Sequence, residues 1–230
     1  MKVEVCANGL ESALNAQKGG AHRIELCVDL SVGGLTPSQD LIEEVLNQLH
    51  IPVHVLIRPR GGNFVYTREE LQTIYNSIEI CRELGCTGVV SGALNPDGTL
   101  HTEAVARMIA LSKDMEFTFH RAIDLAVAPI EILKQLIVLG ANRVLSSGGK
   151  PTAIEGLPVL TKLQEAAEEK ISIMPGGGIN SGNAQAFSAH GFDAVHLSAI
   201  AKPPSTSLFD NAVHGVSDVD EIRKVVRILS

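Results

Sequence analysis

The feature that most constrains the fold of this chain is a glycine that recurs four positions before a β-branched residue. The spacing occurs four times, each time after a helix-like segment: Gly20 to Ile24, Gly85 to Val89, Gly140 to Val144 and Gly191 to Val195. A glycine in this place ends a helix in the left-handed conformation and leads into a buried strand. The glycines are 65, 55 and 51 residues apart. Because one strand–helix–strand element takes roughly 30 residues, each interval has room for two strand–helix units.

Other strand and helix candidates fill these intervals. Strands are also predicted at 2–6, 53–58, 116–121 and 171–174. Helices are predicted at 10–18, 37–49, 68–84, 102–111, 129–139, 157–168, 183–189 and 218–229, and a loop at 203–211. Eight strands that alternate with eight helices predict an α/β fold, a (β/α)8 TIM barrel in one domain over residues 1–230. An open doubly wound sheet is the alternative, but the sequence has neither the G-x-G-x-x-G motif nor the P-loop motif that would support nucleotide binding by such a sheet.

Three residue pairs have the spacing of a capping box, in which an N-cap side chain and a residue three positions later bond to each other's backbone. They are Asn8 with Glu11, Thr36 with Gln39 and Thr67 with Glu70. Pro37 follows Thr36 at the first helical position, where proline is favoured. These pairs support the predicted helix starts at residues 10, 37 and 68.

The composition excludes several classes of function. With 45% hydrophobic and 20% charged residues, the chain can bury a substantial core. A net charge of −7, 3% aromatic residues and no tryptophan argue against nucleic-acid binding. No apolar run approaches the roughly 20 residues that cross a bilayer, and the strand at residue 2 leaves no room for a signal peptide. Four cysteines without a Cys-x-x-Cys pair are typical of reduced thiols, so we expect a cytoplasmic protein, for which a homo-oligomer is compatible with the sequence.

Strand side chains alternate between two faces, so the apolar positions that face the helices identify the inward residues. In the first strand Val3 and Val5 face outward, and the residues between and after them point inward. The same argument places these residues inside the barrel: Glu4, Cys6, Glu25, Cys27, Arg58, Arg60, Thr118, His120, Ser147, His196 and Ser198.

Most of these polar residues lie toward the C-terminal ends of their strands, where barrel enzymes have their active sites. Ionisable residues inside a barrel are costly unless they pair with one another or serve a function. One interpretation is structural, with Arg58 and Arg60 forming ion pairs with Glu4 and Glu25 that fill the core. The other is a functional site at one mouth of the barrel.

A run of three glycines, Gly176, Gly177 and Gly178, follows the seventh strand. Glycine lets backbone N–H groups turn toward a ligand, and barrels frequently bind phosphate in the loops after strands seven and eight. A helix starting near Asn183 would add its positive N-terminal end. We therefore expect an anion site at this mouth, with tight turns as the alternative explanation of the glycines.

Six motifs occur along the chain: RIELC at 23–27, GGLTPS at 33–38, IRPRGG at 57–62, FHRA at 119–122, SGG at 147–149 and PGGGI at 175–179. In this order they resemble the CutC family of copper homeostasis proteins over nearly the whole chain. The resemblance implies a cytosolic TIM-barrel protein associated with copper handling. One position departs from the family, which often has Glu-x-His-x-Ser in the last strand. Here Ala194 stands two residues before His196, so this barrel would lack one inward carboxylate.

Two functions are compatible with these residues, and the first is copper binding. Cys6 and Cys27 lie on neighbouring strands, which are about 4.8 Å apart. Soft thiolates suit Cu(I), which accepts two or three ligands, and His120 or His196 is a candidate for the additional one. A buried cysteine pair that only packs is the alternative.

The second function is an enzyme that acts on a small anionic or phosphorylated substrate. Arg58 and Arg60, with Lys150 as a helper, would bind the anion. The acid–base candidates are Glu25, His120 and His196. The remaining predicted substrate contacts are Ser147, Gly176, Gly177 and Gly178.

Overall fold

The computed structural model describes residues 1–200 and 215–230. Its strands are β1 (Lys2–Ala7), β2 (Arg23–Leu26), β3 (Val53–Leu56), β4 (Gly88–Ser91), β5 (Glu116–Phe119), β6 (Arg143–Ser146), β7 (Ser172–Pro175) and β8 (Ala194–Leu197). Its α-helices are α1 (Leu10–Gly19), α2 (Gln39–Gln48), α3 (Arg68–Glu83), α4 (Thr102–Leu111), α5 (Pro129–Leu139), α6 (Leu157–Ala167), α7 (Ala184–Ala189) and α8 (Val219–Leu229). Short 3-10 helices, Leu30–Val32 and Arg121–Leu125, follow β2 and β5. The loop predicted at 203–211 lies outside the described residues.

The strands form a parallel ring. From β1 to β7 each strand pairs with the next along the chain, and β1 also pairs with β8. The ring meets at β7 and β8 through a single parallel bridge between Gly176 and His196. Parallel neighbours need a crossover connection, which the helices provide. The predicted TIM barrel is therefore confirmed. Among the described residues, no helix has the length and apolar character to cross a membrane.

The four recurring glycines have the backbone conformation that their spacing predicts. Gly20, Gly85, Gly140 and Gly191 have φ angles of 88°, 83°, 85° and 77°, in the left-handed region. Each one follows a helix directly or by two residues, and each leads into an inner strand. A side chain with a Cβ would be strained in this conformation, so glycine is the residue that makes the helix-to-strand turn.

Of the three predicted capping boxes, only the one at Thr67 forms, with both of its reciprocal hydrogen bonds. The predictions at Asn8 and Thr36 are wrong. Gly9 precedes α1 without a side-chain cap. Helix α2 begins two residues later than predicted because Ser38, an equally good cap, accepts a hydrogen bond from the backbone of the first turn.

Alternation along the strands separates two apolar regions. Side chains such as Val3, Val5 and Ile24 pack against the helices in the main core. Inside the barrel are two smaller clusters, Cys6, Cys27, Leu56 and Val90 in one and Leu145, Met174 and Ala194 in the other. Burial of each large aliphatic side chain contributes about 1.5–3 kcal/mol. The polar inward residues share this interior, so the barrel wall holds them in a fixed arrangement.

Candidate functional site

Most of the residues predicted to form a site at the barrel mouth border one pocket of about 240 Å³. They come from the C-terminal ends of several strands and from the loops that follow, as is usual for barrel active sites. The predicted site residues that line it are Cys6, Glu25, Arg58, His120, Gly177, Gly178 and His196. The strands therefore bring most of the predicted site together around a cavity that can hold a small ligand.

The two predicted thiols are neighbours. Cys6 Sγ lies 3.5 Å from Cys27 Sγ and 3.8 Å from Glu25 Oε1. One ligand atom each from Cys6, Glu25 and His196 lies within 4.8 Å of the other two. Cys6 lines the pocket, whereas Cys27 is fully buried. The hydrogen bond with Cys27, together with burial, raises the pKa of Cys6 well above its usual value.

His196 is held by a buried carboxylate. Its Nδ1 lies 2.8 Å from Glu4 Oε1, while the other oxygen of Glu4 pairs with Arg23 Nε. Burial of Glu4 favours its neutral form, but the His196 hydrogen bond and the Arg23 charge outweigh burial and keep the pKa low. Burial also opposes protonation of His196, and the carboxylates of Glu25 and Glu4 raise its pKa despite this. The predicted pairing of Arg58 and Arg60 with Glu4 is wrong, because Arg23 and His196 take both of its oxygens.

Glu25 and His120 each leave a buried polar atom unused. Neither Glu25 Oε2 nor His120 Nε2 has a hydrogen-bond partner among the described residues. Burial raises the pKa of Glu25 to about 7. Burial and the Arg58 charge lower the pKa of His120 to about 3, so its ring is neutral at pH 7. His120 Nδ1 accepts from the Ala122 N–H (3.3 Å), which leaves the ring proton on Nε2 as a donor.

Arg58 is buried at the mouth, but both of its terminal guanidinium nitrogens already bind backbone carbonyls. Nη1 donates to the carbonyls of Val32 (2.7 Å) and Gly34 (3.0 Å), and Nη2 donates to Gly62 (2.8 Å). Its Nε has no partner, and its guanidinium lies 5.0 Å from the centre of the Phe64 ring. Arg58 therefore supplies positive charge to the pocket rather than the predicted bidentate clamp.

Arg60 and Lys150 lie away from the pocket. Arg60 pairs with Glu70 at the start of α3 and is half-exposed, because the chain leaves the strand geometry after Leu56 and alternation no longer applies. Lys150 is exposed and does not line the cavity. The interpretation of these two residues as direct ligands of an anion in the pocket is therefore wrong.

The glycine run divides into two parts. A Cβ on Gly176 would lie 2.5 Å from Leu145 and 3.2 Å from His196, and its N–H donates to Ser146 (2.9 Å), so Gly176 serves packing. Gly177 and Gly178 line the pocket with φ angles of 114° and 71°. Helix α7, expected to start near Asn183, has six residues and its N-cap side chain makes no capping bond. It adds no helix-end site.

Ser147 is buried and binds protein groups rather than the cavity. Its Oγ accepts from Arg121 Nη2 at 2.6 Å, and its N–H donates to Asp124. Sequence reasoning missed Arg121, because the strand predicted at 116–121 would turn it outward with Phe117 and Phe119. The strand ends at Phe119, and Arg121 lines the pocket from the 3-10 helix that follows. The two-residue period of the strands also points Arg23, His54, Glu116 and Arg143 inward, which sequence reasoning did not use. Together with Thr118, whose inward position was predicted, these residues form a second network.

Comparison with known proteins identifies the family. The family model described as CutC family matches residues 1–201. The chain belongs to the CutC family. The resemblance of the sequence motifs to this family is thereby confirmed. A CutC family protein of Xylella fastidiosa is 42% identical over 236 residues, which are 99% of this chain and 88% of the relative.

Two further CutC relatives extend the likeness. The human copper homeostasis protein cutC homolog is 42% identical over 91% of this chain and 77% of its own length. The crystal structure of the CutC protein of Streptococcus agalactiae matches with a TM-score of 0.82 and 34% identity, over 86% of this chain and 98% of that one. In the present CutC chain, Ala194 is buried beside Leu145 and Met174, so the position that departs from the family motif does face inward, as predicted.

Proposed function

We propose that this CutC protein binds one Cu(I) ion between Cys6 and Cys27 and takes part in copper handling. The supporting observation is the 3.5 Å separation of the two sulfurs, which converge without a rearrangement of the barrel. Two thiolates are the donor set that favours Cu(I). His196 and Glu25 are the candidates for a third ligand, since each has a ligand atom within 4.8 Å of Cys6 Sγ. Cys6 borders the cavity, which gives an ion a path to the pair.

The human relative is named a copper homeostasis protein, which agrees with this proposal. The four cysteines are free and buried, a state that a reducing compartment maintains. We place the function in the cytoplasm on this ground.

Anaerobic competition against a coloured Cu(I) chelator tests the proposal. We expect about one Cu(I) per chain, and an affinity that collapses in Cys6→Ser and in Cys27→Ser because each removes one of two thiolates. Cys81→Ser is the matched control, since Cys81 is equally buried but lies on α3, outside the cavity. Wild-type affinity in the Cys6→Ser/Cys27→Ser double variant, with folding checked by circular dichroism, excludes this site.

A second function, proton transfer on a small anionic ligand, is favoured by the buried polar atoms that protein groups leave unused. Glu25 Oε2, His120 Nε2 and Arg58 Nε belong to residues that line the same pocket. An unsatisfied buried polar group costs about 1–3 kcal/mol, and a polar ligand would remove that cost. The Glu25 carboxylate is placed to accept a proton, and the neutral His120 ring is placed to donate a hydrogen bond to a ligand oxygen.

Solvent-exchange measurements test this second function. The protein is incubated in D2O with a panel of small phosphorylated aldehydes and ketones, and deuterium incorporation is followed by mass spectrometry. Exchange that is abolished in both Glu25→Gln and His120→Gln, and retained in the surface variant Glu165→Gln, supports the assignment. Exchange that persists in both pocket variants contradicts it.

A further inference from the structure

Arg121 is fixed at the edge of the pocket by two neighbours. Its Nε donates to Asp124 Oδ2 (2.9 Å) and its Nη2 donates to Ser147 Oγ (2.6 Å). Asp124 is itself held, because it also accepts hydrogen bonds from Ser146 Oγ (2.6 Å) and the Gly149 N–H (3.0 Å). Nη1 makes no hydrogen bond within the described part of the chain. The half-exposed arginine is thereby oriented, and Nη1 is the nitrogen that residues 1–200 and 215–230 leave for a ligand.

The loop after β7 brings backbone donors to the same place. A Cβ on Gly177 would lie 3.6 Å from Arg121 Nη1, so the glycine backbone approaches the guanidinium closely. The Gly177 carbonyl accepts from the Ala153 N–H (2.8 Å). The Gly178 carbonyl accepts from the side-chain amides of Asn180 (3.1 Å) and Asn183 (2.9 Å).

These carbonyl contacts orient the N–H groups of the loop. In a trans peptide the C=O and the N–H point in opposite directions, so the N–H groups of Gly178 and Ile179 face away from the groups that hold the carbonyls. Both residues line the pocket, and neither N–H has an acceptor among residues 1–200 and 215–230. The loop thus has two donors without a partner in the described ranges, on the two residues that follow Gly177, whose backbone approaches Arg121 Nη1.

The charge of the mouth favours an anion. Arg58 is 5% exposed, lines the pocket, and forms no ion pair with any residue of the described ranges. A buried charge without a counterion is unfavourable, and an anionic ligand nearby would compensate it. Arg121 adds a second positive charge, which Asp124 partly offsets.

We propose that Arg121 Nη1 and the N–H groups of Gly178 and Ile179 bind the phosphate group of a small phosphate ester. The three donors match a phosphate better than a carboxylate, because a phosphate offers three oxygens to groups that approach from different sides. The rest of the ligand would then lie toward His120 and Glu25, which line the same cavity. The inference is independent of copper binding and rests on the second proposed function, which it extends by assigning the groups that would bind the phosphate of its ligand.

Isothermal titration at low salt tests the site with three probes: inorganic phosphate, ribose 5-phosphate and ribose. We expect both phosphates to bind the wild-type protein, ribose not to bind, and the affinity to weaken as salt rises. Arg121→Ala should lose about 10- to 100-fold in affinity with the charge-assisted hydrogen bond. Arg121→Lys should recover part of it, since lysine retains the charge but lacks the planar fork.

Arg60→Ala is the matched control, because Arg60 is an arginine of similar exposure that pairs with a carboxylate away from the pocket. It should bind both phosphates as the wild type does. The proposal is overturned if the wild type fails to bind ribose 5-phosphate at millimolar concentration, or if Arg121→Ala binds it with unchanged affinity. Cu(I) affinity of Arg121→Ala and deuterium exchange by it are measured in parallel, so that failure of the anion site is distinguished from failure of either proposed function.

Discussion

At the scale of single residues, Glu4 determines much of the barrel interior. It is fully buried, and its two oxygens bind His196 Nδ1 and Arg23 Nε. Because Nδ1 of His196 is occupied, Nε2 is the ring nitrogen left for a ligand in the pocket that His196 lines. Glu4 does not line the pocket, but its carboxylate sets the orientation of the His196 ring, which does.

We predict that Glu4→Gln lowers the free energy of unfolding by about 3–5 kcal/mol, because it removes the buried partner of Arg23 and leaves only the half-exposed carboxylate of Glu116, at 3.7 Å, to compensate its charge. Urea denaturation followed by circular dichroism measures the change. Glu165→Gln on the exposed face of α6 is the control and should change stability by less than about 0.5 kcal/mol. A loss below about 1 kcal/mol for Glu4→Gln would show that Glu4 is not the central counterion.

At the scale of elements, the two-residue period of the strands produces two polar levels, which His196 connects. The strand register places Glu4 beside Arg23 and His196. Two residues further along β1, it places Cys6 beside Glu25. The first level is an ion-pair network and the second is the candidate site. One strand thus contributes to both, at positions two residues apart.

Strand β4 adapts to this arrangement with a glycine. A Cβ on Gly88 would lie 2.5 Å from the ring of His54, which faces it from β3. The small residue on one strand therefore makes the space that the buried imidazole on its neighbour occupies. Complementary sizes on adjacent strands are what close packing inside a barrel requires.

At the scale of the whole molecule, the first polar level links most of the ring. Glu4, Arg23, His54, Glu116 and Arg143 lie on β1, β2, β3, β5 and β6. Glu116 Oε2 lies 2.9 Å from Arg143 Nη2, 3.7 Å from Arg23 Nη1 and 3.5 Å from His54 Nε2. Burial, aided by the charges of Arg23 and Arg143, lowers the pKa of His54 to about 4 despite the two carboxylates.

This pKa predicts a pH dependence of folding. An unfolded histidine titrates near 6.5, so between pH 6.5 and 4 the unfolded chain binds a proton that folded His54 excludes. Stability should therefore fall as the pH falls from 7 to 4, by up to about 3 kcal/mol from this group at about 1.4 kcal/mol per pH unit.

Other histidines also change stability with pH. The lowered pKa of His120 makes the folded state less stable as the pH falls, as His54 does, whereas the raised pKa of His196 makes it more stable. The measurement is therefore the difference between wild type and His54→Gln in urea denaturation at pH 7, 5.5 and 4. The variant should show a shallower loss of stability toward pH 4. Parallel curves for the two proteins would assign the acid sensitivity to other groups.

The sequence by itself determined the elements and the direction of most side chains. Helix-ending glycines such as Gly140 have a local backbone preference, and strand alternation needs only the identity of neighbouring residues, so the barrel and the inward positions of Cys6, Glu25 and His120 were predictable. Helix capping was less predictable. Asn8 has the preference of an N-cap residue, but the N-cap of α1 is its neighbour Gly9.

Only the tertiary structure decided which inward groups meet and which are already occupied. Arg58 points inward as predicted, but its terminal nitrogens bind three backbone carbonyls, those of Val32 and Gly34 after β2 and that of Gly62 in its own loop. Arg121 reaches the pocket because Asp124 of its own 3-10 helix and Ser147 at the end of the neighbouring strand orient it. Hydrogen-bond partners are chosen by three-dimensional distance, and a period of two along a strand contains no information about distances across the barrel.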